Sequence, residues 1–281
     1  MEDRLWNIVV SVLPPDKPAS RQTYSEREIL FVVLWAALHD RPVAWACCRE
    51  NWPVRCRPVR LPHPSTVSRR VRRLDFLATF SFAHQRIRTV LGPASTVAMI
   101  DGKPLRVSDY SRDPEARNGR AYRGFGKGYK LHAVIDLRGV VLAFEVQPLN
   151  VNERRPAARL LNQLPKEVRR VLGDGNYDSS PLHRQLTGSG THFYSPPING
   201  VAGPRAHRRR KLLARLYRRD WGVRLMNERE SIERAFARMS NQACGLKELP
   251  NWVRRHRRVH RWISAKVLLH HAYLIHKQQP L

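Results

Sequence analysis

Two apolar runs in the second part of the chain stop in the same way, at an aspartate followed by glycine. STVAMIDG ends at Asp101-Gly102, and VRRVLGDG ends at Asp174-Gly175. Short β-branched and aliphatic runs of this kind read as strands. An acid at the carboxyl end of a strand opens onto the crevice where α/β folds bind ligands. The segments around them alternate. KGYKLHAVIDLRGVVLAFEVQPL reads as two strands joined by a tight turn at Leu137-Arg138-Gly139, with Asp136 as a turn residue. NERRPAARLLNQL reads as a helix with Pro156 in its first turn, SPLHRQL as a second helix, and THFYSPPI as a short strand stopped by two prolines. One helix starts at about Asn227 and another lies around Ser264–Ile275. Strand, strand, strand, helix, strand, helix, strand, helix predicts an α/β layering with a mixed sheet flanked by helices. Asp-Gly is also an ordinary turn dipeptide, so neither acid says much by itself.

The first ninety residues read as helical. Ser25 and Glu28 form a capping-box start for the apolar run to Leu38, and Pro42, Pro53, Pro58, Pro62 and Pro64 then punctuate a loop region. PSTVSRRVRRL follows, with Ser65 as the expected cap of a helix that has Val67, Val71 and Leu74 on one side. A short capped helix with Ser65, Thr66, Ser68, Arg69, Arg70, Arg72 and Arg73 offers hydroxyls and guanidinia to phosphates and base edges, as a helix-turn-helix recognition helix does. A basic surface helix that only covers the neighbouring structure is the alternative. Composition changes at Gly92-Pro93, so the expected division is a helical region over 1–92 and an α/β domain over 93–281.

Charge points to a polyanionic partner. The 281 residues carry 51 Lys and Arg against 23 Asp and Glu, a net of +28, which would repel itself without a polyanion in its working life. Arginine supplies 42 of the 51, and its guanidinium forks onto phosphates. A GC-rich genome also favours arginine, but it does not explain the shortage of acids. The hydrophobic fraction of 42% excludes a disordered basic tail. The longest apolar stretch, Ile29 to Leu38, is about half of what spans a bilayer, so no membrane association is expected. MEDRLWNIVV has no signal-peptide character, and Cys47, Cys48, Cys56 and Cys244 make no disulfide framework, which predicts a cytoplasmic protein. Those cysteines with His63 match no zinc-ligand spacing and read as buried thiols.

If the strands ending at Asp101 and Asp174 are neighbours, their carboxylates converge, and oxygen ligands that converge suit Mg²⁺ or Mn²⁺. A third acid comes from MNERESIERAFARMSNQ. At 100° per residue Ile232, Ala235, Phe236 and Met239 form the buried stripe of a helix. Arg229 and Glu233 flank that stripe at about 60° and 100° from Ile232, while Glu230 points about 160° away. Glu233 is therefore the acid best placed to reach the crevice, with Arg229 beside it to hold a phosphate. An ordinary helical Glu-Arg ion pair is the plain alternative.

From about Ala98 to Tyr273 the sequence resembles the catalytic domain of bacterial insertion-sequence transposases of the DDE type. The resemblance rests on five ordered stretches: MIDGKPLRV, GRAYRGFGKGYKLHAVID, the helix start LNVNER, GDGNYDSSPL and RESIERAF. It implies an RNase H-like fold preceded by a helical DNA-binding region, with Asp101, Asp174 and Glu233 as the catalytic acids. It also implies two metal ions, Mg²⁺ or Mn²⁺, with Asp101 bridging both and the other acids holding one each. The activity implied is cleavage of transposon ends in double-stranded DNA and transfer of the freed 3′-OH to target DNA, by a homodimer. One group of the family has a Tyr-Arg-Glu-Lys signature around the third acid. Here Arg229 and Glu233 are kept, but Met226 and Ser240 replace the Tyr and Lys, and Arg238 or Lys247 are the nearest substitutes. Only 59 residues separate Asp174 from Glu233, room for a basic insertion at about 200–222 but not for a large inserted domain. Lys127, Lys130 and Arg123 are further candidate phosphate contacts, and Tyr177 either stacks near a base or packs. Two other readings share these residues: a transposase-derived protein that binds DNA without cutting it, and a metal-dependent nuclease without strand transfer.

Overall fold

A computed structural model of the chain describes residues 2–13, 15–16, 22–73, 75–121, 124–197, 208–241 and 245–278. Arg123, Cys244 and residues 200–207 of the basic stretch lie outside the described residues. The chain forms two compact units, Met1–Gly92 with Arg238–Leu281, and Pro93–Ala237. The first unit contains α1 (Glu2–Val12), α2 (Glu26–Leu38), α3 (Val43–Ala46), α4 (Pro64–Arg70) and α5 (Asp75–Leu91). Ser25 and Glu28 close the expected capping box on α2, whose residues Ile29 to Ala37 are buried all round. Trp35 and Trp52 stack at 4.4 Å, and Trp6 meets both edge-on at 5.1 and 5.4 Å. Each of the two stacked indoles donates its N–H to a carbonyl, Trp35 to Asn51 and Trp52 to Ala46, so neither buries an unpaired donor. The cap of α4 differs from expectation. Pro64 occupies the first turn, and the residue before it, His63, accepts from the Ser65 N–H, so Ser65 lies inside the helix.

The second unit is built on a six-stranded mixed sheet. Its strands are β1 (Val97–Arg106), β2 (Arg117–Ala121), β3 (Gly124–Asp136), β4 (Val141–Pro148), β5 (Arg170–Leu172) and β6 (His192–Tyr194). The order is β2-β3-β1-β5-β6, with β4 also on β3. β3 pairs antiparallel with β1, β2 and β4, while β1–β5 and β5–β6 are parallel. β2 was not expected from sequence, since RNGRA has no β-branched or aromatic residue; the free edge of β3 recruits it through Gly124–Gly128. The β3–β4 turn is closed by fully buried Asp136, which accepts from the Arg138 and Val140 N–H groups at 3.0 and 2.9 Å. α6 (Arg154–Leu161) lies on β3 and β4, with Pro156 in its first turn as expected.

Beyond β5 come a 3-10 turn (Gly175–Tyr177) and α7 (Ser180–Gly188). Part of the basic stretch is helical, α8 (Arg208–Leu216), and its Arg210 turns inward to buried Asp178 at 2.7 Å. The helix expected from Asn227 is two: α9 (Asp220–Asn227) and α10 (Glu230–Asn241), separated by a turn at Glu228 and Arg229. The stripe Ile232, Ala235, Phe236 and Met239 is buried as the spacing required.

The C-terminal boundary corrects the expected division. The second unit ends at Ala237, inside α10, and 238–281 clusters with the N-terminal helices. The cause is α11 (His256–Gln278), buried at every position from Trp262 to Ile275. A helix buried on all sides lies inside a core, although this one carries Ser264, Lys266, His270 and His271 into it, and its neighbours are α1, α2 and α5. Its one fully buried lysine, Lys266, pairs with Asp40 at 2.7 Å. Among the described residues no helix is long and apolar enough to cross a membrane.

Candidate active site

The parallel ladder between β1 and β5 runs Val97↔Arg170, Ala98↔Val171, Met99↔Leu172. Continued by two residues, this register sets Asp101 beside Asp174, which follows the end of β5; β1 does not stop at Asp101 as expected but runs on to Arg106 along β3, so Asp101 stands in mid-strand, just past the part of β1 that pairs with β5. Asp101 Oδ1 accepts the N–H of Gly102 at 2.7 Å. Asp174 caps the 3-10 turn: its Oδ1 accepts from the Asn176 N–H at 2.9 Å and its Oδ2 from the Asn176 side-chain amide at 3.1 Å.

The charges converge. Burial pushes Asp101 up to about 6 from a usual carboxylate value near 3.8; the Gly102 N–H opposes this, repulsion from Asp174 and Glu153 adds to it, and Arg229 draws it back. Asp174 is raised too, by burial first and then by Glu153, against the Asn176 N–H and Arg229. Tyr177 is 0% exposed and its hydroxyl, without a hydrogen-bond partner among the described residues, has Glu153, Asp101 and Asp174 as its charged neighbours. Burial decides between the two roles considered for Tyr177: it packs, and offers no face to a base.

Glu233 stands further out. Its side chain is 61% exposed, and its carboxylate is 3.7 Å from the Arg229 guanidinium. Arg229 therefore faces three acids, attracting Asp101 and Asp174 while pairing with Glu233, and supplies positive charge among them. Lys103, two residues from Asp101 on the same face of β1, sits 6.0 Å from the Phe236 ring centre, which ties α10 to that face. Among the described residues no three His, Cys, Asp or Glu side chains close around a common point.

The sequence did not single out Glu153. It stands immediately before α6 and pairs with Lys130 at 2.5 Å, both side chains largely buried. The available signal was the acid in LNVNER, at the start of a helix that follows a strand. Lys130 is therefore engaged with Glu153, and Lys127 donates to the Ser111 carbonyl at 2.7 Å. In α4, Arg70 is buried and forks onto Glu26, with a further bond to the Tyr24 carbonyl, so it serves the fold and not a phosphate. Ser65, Arg69, Arg72 and Arg73 are exposed; Thr66 is half-buried, and half-buried Ser68 accepts from Arg72 at 3.0 Å.

Compared with known proteins, residues 92–270 match the sequence model of the family described as Transposase DDE domain. The chain belongs to the DDE transposase family. The match opens where the transposase's sheet unit opens and runs into α11. A solved structure, the cryo-EM piggyBac transposase synaptic complex with hairpin DNA, is similar at a TM-score of 0.50 and 11% identity, covering 98% of this transposase and 71% of that chain. That likeness is one of fold. No curated protein matches the transposase sequence.

Proposed function

We propose that this transposase cleaves double-stranded DNA at the ends of its element and transfers the freed 3′-OH to target DNA, using two divalent cations, Mg²⁺ or Mn²⁺, at Asp101, Asp174 and Glu233. The observation that carries the reading is that the parallel β1–β5 register, carried on by two residues, brings Asp101 and Asp174 side by side, inside a chain of this family. The strand order supports an RNase H-like sheet. An all-carboxylate donor set suits a hard cation, and the unpaired buried Tyr177 hydroxyl among the acids marks polar space awaiting an occupant. When bound, the cations supply Lewis-acid activation of the attacking oxygen and charge stabilisation of the leaving one.

The residues divide the work. Asp101 and Asp174, the latter with its carboxylate oriented by Asn176, would hold the cations. Glu233 completes the set by leaving Arg229, which then holds a DNA phosphate. Arg69, with Ser65, Thr66 and Ser68, contacts the DNA backbone from α4, and Arg72 and Arg73 do so from the turn that follows it. The working form is a homodimer on two element ends.

A second reading rests on Met226 and Ser240, which replace the Tyr and Lys of the family signature: a protein that binds DNA without cutting it. Ser240 turns its hydroxyl to the Leu246 carbonyl, 3.0 Å away. The test is cleavage and joining of DNA carrying the element's ends, in Mg²⁺ or Mn²⁺ at fixed salt. Wild type is compared with Asp101→Asn, Asp174→Asn and Glu233→Gln. Each variant is expected to lose at least about 1000-fold in rate, about 4 kcal/mol of barrier, while still binding DNA. Binding without cleavage by wild type establishes the second reading, and cleavage without a joined product establishes a plain nuclease.

A further inference from the structure

Glu153 was assigned no part in the reaction above, yet its setting is that of a ligand. It stands at the start of α6, and the next residue, Arg154, donates from Nε to the Asn176 carbonyl at 2.9 Å, which fastens this end of α6 to the turn that Asp174 caps. From the other side Lys130 of β3 holds the carboxylate. Gly102 makes the approach possible. A Cβ on that residue would fall 2.8 Å from Lys130 Cδ and 3.5 Å from Glu153 Oε1, so the pair lies directly against the residue that follows Asp101. A larger residue there would have to push the Lys130 side chain aside. The Glu153 side chain is 18% exposed, against 61% for Glu233.

An ion pair with Lys130 would by itself explain a buried glutamate. It does not explain why the Tyr177 hydroxyl, fully buried and without a hydrogen-bond partner among the described residues, has Glu153, Asp101 and Asp174 as its charged neighbours. Buried polar atoms are nearly always satisfied, so an orphan surrounded by acids points to an occupant that carries positive charge and can accept a hydrogen bond, such as a hydrated cation.

We propose that Glu153 is a further cation ligand of this site, joining Asp101 and Asp174 in holding one divalent ion, and that Lys130 keeps its carboxylate in place until the ion arrives. The proposal rests on the transposase reading and adds a residue to it. Glu153 and the Lys130–Glu153 pair are then part of the apparatus, and Glu233 serves the second ion.

The test is Mn²⁺ binding to the full-length protein without DNA, followed by the electron paramagnetic resonance signal of free Mn²⁺, with circular dichroism to check folding. Glu153→Gln is expected to weaken Mn²⁺ binding about tenfold or more. Lys130→Met is expected to tighten it severalfold, because a competing cation is removed from a carboxylate that stays. Wild-type affinity in Glu153→Gln overturns the proposal. If that variant fails to fold, Lys130→Met decides, and an unchanged affinity there overturns the proposal, since a purely structural pair would lower the melting temperature without moving Mn²⁺ binding. Asp101→Asn separates the two levels. Weak binding in Asp101→Asn with normal binding in Glu153→Gln removes Glu153 alone, whereas normal binding in both removes the metal reading of the site as well.

Discussion

Asp101 carries a penalty that the fold accepts. Its neutral form is favoured in the folded chain, so between pH 4 and 6 the folded state binds more protons than the unfolded one, and stability falls as pH rises through that window. A rise from 3.8 to about 6 corresponds to a cost on the order of 3 kcal/mol at neutral pH. Asp101→Asn keeps the acceptor for the Gly102 N–H and removes the charge. In chelator at pH 7.5 the variant is expected to melt higher than wild type, and the gain should vanish by pH 4. A variant that melts at or below wild type at pH 7.5 would show that burial does not strain this carboxylate. Both aspartates were legible from the apolar runs that lead into them, although the Asp-Gly pair hid the fact that β1 carries on past Asp101 to Arg106. Glu153 was not, since the start of a helix commonly carries an acid and nothing local says that α6 will lay it beside Gly102. Arg70 was misread for a similar reason: sequence shows a cluster of arginines, and only packing shows which one turns inward to Glu26.

At the scale of elements, the sheet depends on how closely β3 is approached along its length. A Cβ on Gly128 would fall 2.3 Å from the Leu105 carbonyl oxygen and 3.0 Å from Arg106 Cα, both backbone atoms that cannot yield without moving β1. Gly128→Ala is expected to cost about 3 kcal/mol, read as a lowered urea midpoint. Gly188→Ala at the end of α7, where a Cβ meets nothing within 4 Å, is the control and should be neutral or slightly stabilising. An unchanged midpoint for Gly128→Ala would mean that β1 and β3 separate more easily than their register suggests. Elements with a strong pattern of their own were readable: α2 by its capping box, β3 and β4 by their turn, the buried stripe of α10 by its period. β2 was not, because RNGRA takes its strand form from the edge of β3. The break between α9 and α10 was also hidden, since no proline or glycine marks Glu228 and Arg229.

For the whole molecule, the decisive fact is that one unit is made from two stretches of chain. Six of the seven tryptophans, Trp6, Trp35, Trp45, Trp52, Trp252 and Trp262, lie in it, and only Trp221 lies in the sheet unit. Tryptophan emission therefore reports the helical unit almost alone. Truncation after Arg255 removes α11 and uncovers the apolar faces of α1, α2 and α5. The truncated protein is expected to show red-shifted emission and no cooperative transition in that signal, while the sheet unit keeps its β-type circular dichroism. Wild-type emission would mean that the N-terminal helices close without α11. Sequence composition located the break at Gly92-Pro93 but could not show that α11 returns to the first helices, since its histidines and Lys266 hide how fully it is buried and nothing in it names the segment it packs against.

The return of α11 also sets an order of events on the ribosome. Residues 93–237 are contiguous and have all their strands as soon as they emerge, whereas α2, made earlier, waits with part of its aliphatic surface uncovered until α11 has been synthesised. A segment made before the sheet unit is thus sealed only after it, an interval in which uncovered apolar surface is exposed to aggregation or to chaperones.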